Sequence, residues 1–506
     1  MEKSRTKYSI LNGVTGAASQ ASIVLLGFIS RTAFIHFLPL EYLGIQGLFT
    51  NVLTVLSFAE LGIGEAMIYA LYKPVKENNK IQISRLICFY KKAYRYVALV
   101  VFSLGLAISF FIDAFVDKKP DIPENFQIVF LLFVVNSACS YLFSYKKSIL
   151  LVDQKRFVVT GIHQVFITLQ TIFQIVFLYI THDYIIFLII QILGTMGDNV
   201  CSSYYVDKKY PFLGQHIVDG LSRQEEKTIF GNVKAVALTR ISGVISNGFT
   251  NIIISKILGL VTVGIASNYL LIVNAVNGVL WTAFTGISNS IGNLNVDATL
   301  EKRRQVFDQL FLVAFWVYTC ACVCILVLIN PFIQIWLGNR FLLPEPVIFA
   351  IVWYIYIGGI NYPAYSFRTT LGYFVQVQYV FLLGGLLSVI FSVIGGLNFG
   401  LVGIFLGTPI ARLMTSEVAD GYMVYRYGLK INPWIYFKKY ILYFMLFLFC
   451  YGIARLGVSL IQLNGIFGLI IKTILVLILT NTILLAVFLK TEIFHMIAQR
   501  FLSLKR

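Results

Sequence analysis

The chain has 506 residues, of which 58% are hydrophobic and only 12% are charged, and its mean hydropathy is +0.81. A composition this apolar excludes a soluble multidomain enzyme of the same length. The formal net charge is +17, so the positions of the basic residues decide whether nucleic acid or a membrane surface is the partner.

Fourteen apolar segments follow one another along the chain, each close to the roughly 20 residues that a helix needs to cross a bilayer. Continuous apolar runs such as Phe381 to Val393 predict helices, so the chain is predicted to be an all-α integral membrane protein. The predicted spans lie at about 12–38, 44–72, 94–116, 126–145, 157–180, 184–206, 230–256, 264–293, 307–329, 346–367, 376–397, 400–425, 440–460 and 466–489.

The two halves of the chain align at an offset of 220 residues, which pairs Gly44 with Gly264 and Tyr145 with Tyr365. Repeats of this kind are typical of transporters, whose two pseudo-symmetric lobes move around a shared site. We therefore predict two lobes of six helices and an unrepeated helix pair. The predicted domains are an N-lobe at 1–210, a C-lobe at 211–430, and helices thirteen and fourteen with a cytoplasmic tail at 431–506.

Most of the 40 Lys and Arg residues lie in the termini and in the even-numbered loops between predicted spans. This asymmetry follows the positive-inside rule and places both termini in the cytoplasm. The basic charge thus indicates topology and attraction to membrane lipids, and nucleic acid is not predicted as a partner.

The predicted external loops are short, and the sequence contains no Walker A, nucleophile-elbow or HExxH pattern. An enzyme is therefore not predicted. The seven cysteines lie in or beside apolar spans without the spacing of a metal site, so we expect neither a metal nor a bound cofactor.

Charged side chains inside a membrane are costly and usually functional. Arg31, Arg240 and Arg412 lie within predicted helices one, seven and twelve. Arginines from both lobes would form a forked site for a phosphate or pyrophosphate. The alternative is that they pair with acidic neighbours or extend toward an interface.

Acidic residues within the spans, among them Glu60, Glu65, Asp198 and Glu417, leave a similar choice open. They would bind a proton or Na⁺ that drives transport, or they would neutralise the arginines. Glu417, like Asp420, lies close to the predicted cytoplasmic end of helix twelve, where we expect solvation.

Polar and helix-breaking residues mark the predicted C-lobe. Pro409, about one turn before Arg412, and Pro363 are predicted hinges. Asparagines spaced three or four apart on one helix face either contact sugar hydroxyls or hydrogen-bond helix to helix. These sugar-contact candidates are Asn247, Asn251, Asn274 and Asn277.

One stretch of the first half resembles a known family. The segments Phe28–Thr32, Glu41–Asn51 and Ala59–Gly64, followed by Phe89–Arg95, are similar to the polysaccharide-transporter branch of the MOP superfamily, the Wzx-like flippases. Pro39 departs from this pattern, because a glycine is expected at that corner. The resemblance implies the fourteen-helix, two-lobe fold.

The resemblance also implies a flippase of the bacterial cytoplasmic membrane. It would move undecaprenyl-diphosphate-linked oligosaccharide repeat units to the outer leaflet by alternating access, for capsule, O-antigen or exopolysaccharide assembly with a polymerase and glycosyltransferases. The alternatives are a lipid II flippase, a MATE-like small-molecule exporter, and a non-transporting scaffold for sugar-assembly enzymes.

Overall fold

The computed structural model describes residues 2–60, 62–214, 220–297, 299–463 and 465–503. For some of these, Glu65 and Asn247 among them, it describes the backbone alone. The chain is 88% helix, and the described residues contain no strand. The helices are α1 Glu2–Phe37, α2 Leu40–Leu56, α3 Ile63–Lys76, α4 Lys80–Ser109, α5 Phe126–Tyr141, α6 Ser144–Val152, α7 Arg156–Thr181, α8 Tyr184–Lys209, α9 Arg223–Gly248, α10 Thr250–Leu258, α11 Leu260–Asp297, α12 Leu300–Leu337, α13 Glu345–Ile360, α14 Tyr362–Thr370, α15 Gln378–Met414, α16 Ser416–Met423, α17 Trp434–Ser459, α18 Gly465–Phe488 and α19 Glu492–Ser503.

Ten helical segments in the described ranges are long and apolar enough to cross a membrane. Two more candidates are helix pairs bent by 41° at a short break, α5 with α6 and α13 with α14. The chain is thus a multi-pass, all-helical membrane protein. Helix α2 is apolar but has only 17 residues, and the number fourteen stays a prediction.

Helix α15 reverses direction at Gly400, where φ is +60° and ψ is −138°. The Ser392 hydroxyl on the first arm donates to the Ile404 carbonyl on the second at 2.9 Å. A Cβ atom on Gly403 would lie 2.0 Å from the Gly395 carbonyl oxygen, although a straight helix would separate these residues by about 12 Å. The apolar segment Gln378–Gly428 therefore forms two antiparallel arms.

The close approach of these arms predicts a sensitive position at Gly403. We expect Gly403→Ala to lower the stability by about 1–3 kcal/mol, because the new methyl group would collide with backbone atoms that cannot rotate away. Gly452→Ala on α17 is the control, since a Cβ there meets nothing within 4 Å. Thermal unfolding in detergent micelles compares the two, and equal melting temperatures would contradict the hairpin packing.

The sequence repeat reappears in the helix boundaries. Helices α4 and α12 begin at Lys80 and Leu300, and helices α2 and α11 begin at Leu40 and Leu260, so both pairs keep the offset of the sequence repeat. The bent pair α5–α6 corresponds to the bent pair α13–α14. The hairpin of α7 and α8 corresponds to the two arms of α15.

The chain forms two compact units, Met1–Gly264 and Ile265–Arg506. The first contains α9 and α10, which pack against α2. The two units are defined by which residues pack together, whereas the predicted lobe boundary at residue 210 comes from the sequence repeat. The lobe boundary therefore stays a prediction.

Aromatic packing fixes the helices of each unit. In the first unit, Phe49 of α2 lies 5.0 Å from the ring centroids of both Phe126 and Phe130 on α5. In the second unit, Phe315 of α12 stacks on Tyr443 of α17 at 4.2 Å. Such pairs add to the apolar area that they bury. The C-terminal helices are thus packed elements of the second unit.

Candidate functional site

The second predicted span is broken where it carries a carboxylate. Helix α2 ends at Leu56, a single 3₁₀ turn runs from Ser57 to Glu60, and α3 begins at Ile63. Gly62 precedes α3 with φ of +85°, in the left-handed region, where glycine is the residue without steric cost. Glu60 therefore lies at a helix break inside an apolar segment.

The fourth predicted span is broken between α5 and α6. Leu142 is extended and Phe143 has φ of +67°, so the helix cannot continue through them. The Asn199 side-chain amide on α8 donates to the carbonyl oxygens of Cys139 and Ser140, at 3.0 and 3.1 Å. These carbonyls lie in the last turn of α5, where a helix lacks its own donors.

The two breaks of the first unit meet. Tyr141, the last residue of α5, lies close enough to the Glu60 carboxylate to interact with it electrostatically. Tyr94 on α4 and Arg240 on α9 lie within electrostatic range of the same carboxylate. We call Glu60, Tyr94, Tyr141 and Arg240 the break junction. Broken helices that present polar groups at membrane depth are where transporters place their binding sites.

A second polar cluster in the first unit surrounds Asp198 of α8, which is 8% exposed. Its Oδ2 atom accepts from the Lys147 ammonium at 2.9 Å and lies 3.0 Å from Nδ1 of His163. Ser202 donates to Oδ1 at 3.2 Å. Lys147 follows the α5–α6 break, so Asp198 connects α8 to the segment beyond the break.

The second unit has its own pair of backbone breaks. Helices α13 and α14 meet at Asn361 with a 41° bend, and Pro363 lies in the first turn of α14. The backbone leaves the helical region again at Thr415, with φ of −130° and ψ of −90°, between α15 and α16. Both breaks lie beside buried charges.

Asp420 and Glu417 of α16 are at the centre of that buried network. Asp420 accepts hydrogen bonds from Arg368 and, at 3.0 Å, from Asn361. Glu417 forms a 2.6 Å ion pair with Arg412. Only 2% of Asp420 and 3% of Glu417 are exposed, so the expectation that both are solvated is wrong. The chain continues in helical form to Gly428, which leaves both residues deep inside the packed helices.

The predicted pyrophosphate ligands lie in different surroundings. Arg31 is half-buried on α1, and Arg240 is exposed on α9 beside Glu60. Arg412 is paired with Glu417, and its guanidinium lies 5.3 Å from the centre of the Tyr354 ring. Arg412 therefore shows the charge pairing that was the alternative to an anion site. A pyrophosphate role for these arginines stays a prediction.

The predicted sugar contacts are also divided. Asn251 on α10 donates to the Gly47 carbonyl of α2 at 3.2 Å, which is a bond from helix to helix. Asn277 accepts from the Tyr318 hydroxyl at 3.4 Å, and Asn274 is exposed. The side chains of Asn247 and Glu65 lie outside the described residues. Sugar contact stays a prediction for all four asparagines.

The two predicted hinges differ. The α13–α14 bend lies beside Pro363. Pro409 lies within the second arm of α15, and the backbone departs from helical geometry at Gly400 and Thr415 instead. A proline removes one hydrogen bond but does not by itself fix where a span breaks.

Sequence reasoning missed the partners of the acidic residues. The predicted spans end at residues 145 and 367, so they place Lys147 and Arg368 in loops. Asn199 and Asn361 are single asparagines in apolar segments, and neither residue taken alone predicts a contact at a helix break. The adjacent pair Asp198–Asn199 in an apolar helix was the one sequence feature that could have indicated a polar contact across a break.

Comparison with solved structures identifies the fold. The lipid II flippase MurJ in an inward closed conformation matches with a TM-score of 0.62 and 15% identity, over 95% of this chain and 99% of MurJ. An inward-facing multidrug resistance MATE family transporter of the MOP superfamily matches with a TM-score of 0.62 and 14% identity, over 82% and 99%. A variant of the Vibrio cholerae MATE transporter VcmN matches with a TM-score of 0.57 and 13% identity, over 86% and 100%.

No protein-family model and no curated protein sequence matches the chain. The structural matches define the fold: the chain is folded like these transporters of the MOP superfamily. The named neighbours are a flippase and transporters rather than enzymes. The match to MurJ covers 95% of this chain. The remaining 5% is shorter than α17 and α18 together. The match therefore includes part of these two C-terminal helices.

Proposed function

We propose that the protein is a flippase for undecaprenyl-diphosphate-linked oligosaccharide repeat units in the bacterial cytoplasmic membrane. The observation that supports a flippase is the fold shared with the flippase MurJ, which extends into the C-terminal helices. The family motifs between Phe28 and Arg95 support the polysaccharide branch. Both termini would be cytoplasmic, and a polymerase and glycosyltransferases would be its partners in the pathway.

The task requires polar groups in the membrane, because a diphosphate and its sugars cannot enter hydrocarbon without replacement for water. The broken spans supply such groups in both units. Arg31 and Arg240 would bind the diphosphate, and amides such as Asn274 would contact the sugars, while the lipid tail stays in the bilayer. Glu60, Asp198 or Glu417 would accept a proton or Na⁺ if an ion drives the cycle.

A lipid II flippase is the second candidate, and the likeness to MurJ favours it. Lipid II also joins a sugar head group to a polyprenyl diphosphate, so the same arginines would serve. The motif from Ala59 to Gly64 favours the polysaccharide branch instead.

A MATE-like exporter of cationic compounds is less well supported. Such a carrier needs acidic groups for its substrate, whereas Arg31 and Arg240 place positive charge in two candidate membrane spans of the first unit. A scaffold without transport would not need charged groups at helix breaks, because these are costly in a membrane.

Competition binding tests the choice of substrate. A fluorescent undecaprenyl-diphosphate oligosaccharide is bound to the purified protein and displaced with lipid II, undecaprenyl phosphate or a cationic dye. We expect lipid II to compete at least tenfold less well than the unlabelled oligosaccharide lipid. The reverse order would assign the protein to lipid II, and displacement by the dye alone would indicate an exporter.

A further inference from the structure

Both units contain a bent span, and in both a carboxylate-bearing helix contacts the chain at or beside the bend. We infer that Asp198 and Asn199 are positioning residues that clamp the α5–α6 bend together with Lys147, and that this clamp opens during transport. The corresponding clamp at Asp420 stays closed. This inference rests on the transporter fold and not on the proposed substrate.

The first clamp consists of two adjacent residues of α8. Asn199 donates to the carbonyl oxygens of Cys139 and Ser140, before the break. Asp198 accepts from Lys147, in the first turn of α6, after the break. One short stretch of α8 therefore fixes the angle between α5 and α6.

The second clamp is centred on Asp420. This carboxylate accepts from Asn361 at the α13–α14 bend and from Arg368 on α14. Arg368 also donates to the Tyr373 carbonyl at 3.1 Å and lies 4.9 Å from the Phe381 ring centre. Tyr436 of α17 donates to Asn361 at 2.7 Å.

The two clamps differ in burial and in the type of cation. The Arg368 and Asp420 side chains are 5% and 3% exposed, so separating them would leave charges without solvent. Lys147 and Asp198 are 17% and 11% exposed, and an ammonium on a flexible stem forms and breaks a point contact more readily than a planar guanidinium.

Asp198 also has a second partner within reach. His163 on α7 is 47% exposed and lies 3.0 Å from the same Oδ2 atom that Lys147 contacts. The carboxylate therefore keeps a partner when Lys147 leaves. Among the described side chains, Asp420 has no such exposed second partner, because its partners Arg368 and Asn361 are themselves buried.

Opening the first clamp would move the break junction. Tyr141 is the last residue of α5 and interacts with Glu60 at the break between α2 and α3. A change in the α5–α6 angle would thus reach Glu60 and its electrostatic partner Arg240. In this way the clamp would link the bent span to the charged groups of the first unit.

The reporter for the clamp is Cys139, whose carbonyl is one of the Asn199 acceptors and which is half-buried. We would replace the other six cysteines by alanine and measure alkylation of Cys139 by N-ethylmaleimide in membranes. Asp198→Asn and Asn199→Ala are expected to raise the rate at least tenfold. The control is Asp207→Asn, which removes an ion pair between the same two helices, with Lys146, at an exposed position; it should change the rate less than twofold.

Rescue and cross-linking complete the test. The double variant Lys147→Asp with Asp198→Lys exchanges the two charges of the ion pair, and it should restore slow alkylation of Cys139. This variant keeps the proposal testable if Asp198→Asn alone fails to fold. Equal Cys139 rates in both clamp variants and the control would overturn the clamp. For its opening, Lys147→Cys with Asp198→Cys, joined by a short reducible cross-linker, should stop flipping until reduction. Cross-linked Asp113→Cys with Lys119→Cys, an exposed pair away from the bend, should not.

Unimpaired flipping by the cross-linked clamp would overturn its opening. Absence of flipping by the protein that carries neither cysteine pair would instead contradict the proposed function, and the Cys139 rates would still decide on the clamp.

Discussion

Asp420→Ala is expected to lower the free energy of unfolding by about 3–5 kcal/mol, because it leaves the Arg368 guanidinium buried without a counter-charge. Arg368→Ala should lower the free energy of unfolding by a similar amount, because it leaves the Asp420 carboxylate buried without a counter-charge. Both side chains are at most 5% exposed, so neither can recover solvent without opening the helix packing. Equilibrium unfolding in mixed detergent micelles measures the loss.

Two controls separate the buried pair from ordinary surface charge. The Lys119–Asp113 pair is more than half exposed at 3.9 Å, and Asp113→Ala should cost less than about 1 kcal/mol. The double variant Arg368→Met with Asp420→Leu should recover most of the stability lost by either single variant. Single variants as stable as the starting protein would contradict the buried network.

Arg31→Ala and Arg240→Ala should each slow flipping of the lipid-linked oligosaccharide by about 10- to 100-fold while membrane insertion is preserved. A hydrogen bond to a charged group contributes about 1.5–3 kcal/mol, and a tenfold change in rate corresponds to about 1.4 kcal/mol. Arg31→Lys and Arg240→Lys should retain part of the flipping activity. Lysine keeps the positive charge but lacks the planar guanidinium, which can form two parallel hydrogen bonds to one phosphate. Flipping rates in proteoliposomes measure both effects.

Arg455→Ala is the matched control, since Arg455 pairs with Glu345 at an exposed position in the second unit. Its flipping rate should equal that of the unmodified protein, and equal rates for the Arg31 and Arg240 variants would contradict the diphosphate site. Arg412→Ala is a poor test by itself, because it strands the buried Glu417 carboxylate. The pair Arg412→Ala with Glu417→Gln removes that difficulty.

The sequence predicts the helices well, since apolar runs near 20 residues long have few other solutions in a protein of this composition. It also predicts the repeat, which the helix starts at Lys80 and Leu300 reproduce. The breaks are harder to predict. The α5–α6 break occurs at Leu142 and Phe143, neither of which is a helix breaker, whereas Pro409 lies inside a helical arm.

The candidate site shows the same limit. Charged residues in apolar spans could be found by inspection, but their partners come from distant parts of the chain, as with Glu60 and Arg240. Hydropathy placed Glu417 and Asp420 near an aqueous boundary, because it carries no information about how α16 packs. Which charges pair and which stay open to a substrate depends on tertiary packing.

The most direct test of the central claim is leaflet accessibility of fluorescent undecaprenyl-diphosphate oligosaccharide in proteoliposomes with and without the protein. A membrane-impermeant quencher should reach only the outer-leaflet lipid in empty vesicles and nearly all of it when the protein is present. The same protected fraction in both, across several head groups and with or without a proton or Na⁺ gradient, would contradict the flippase.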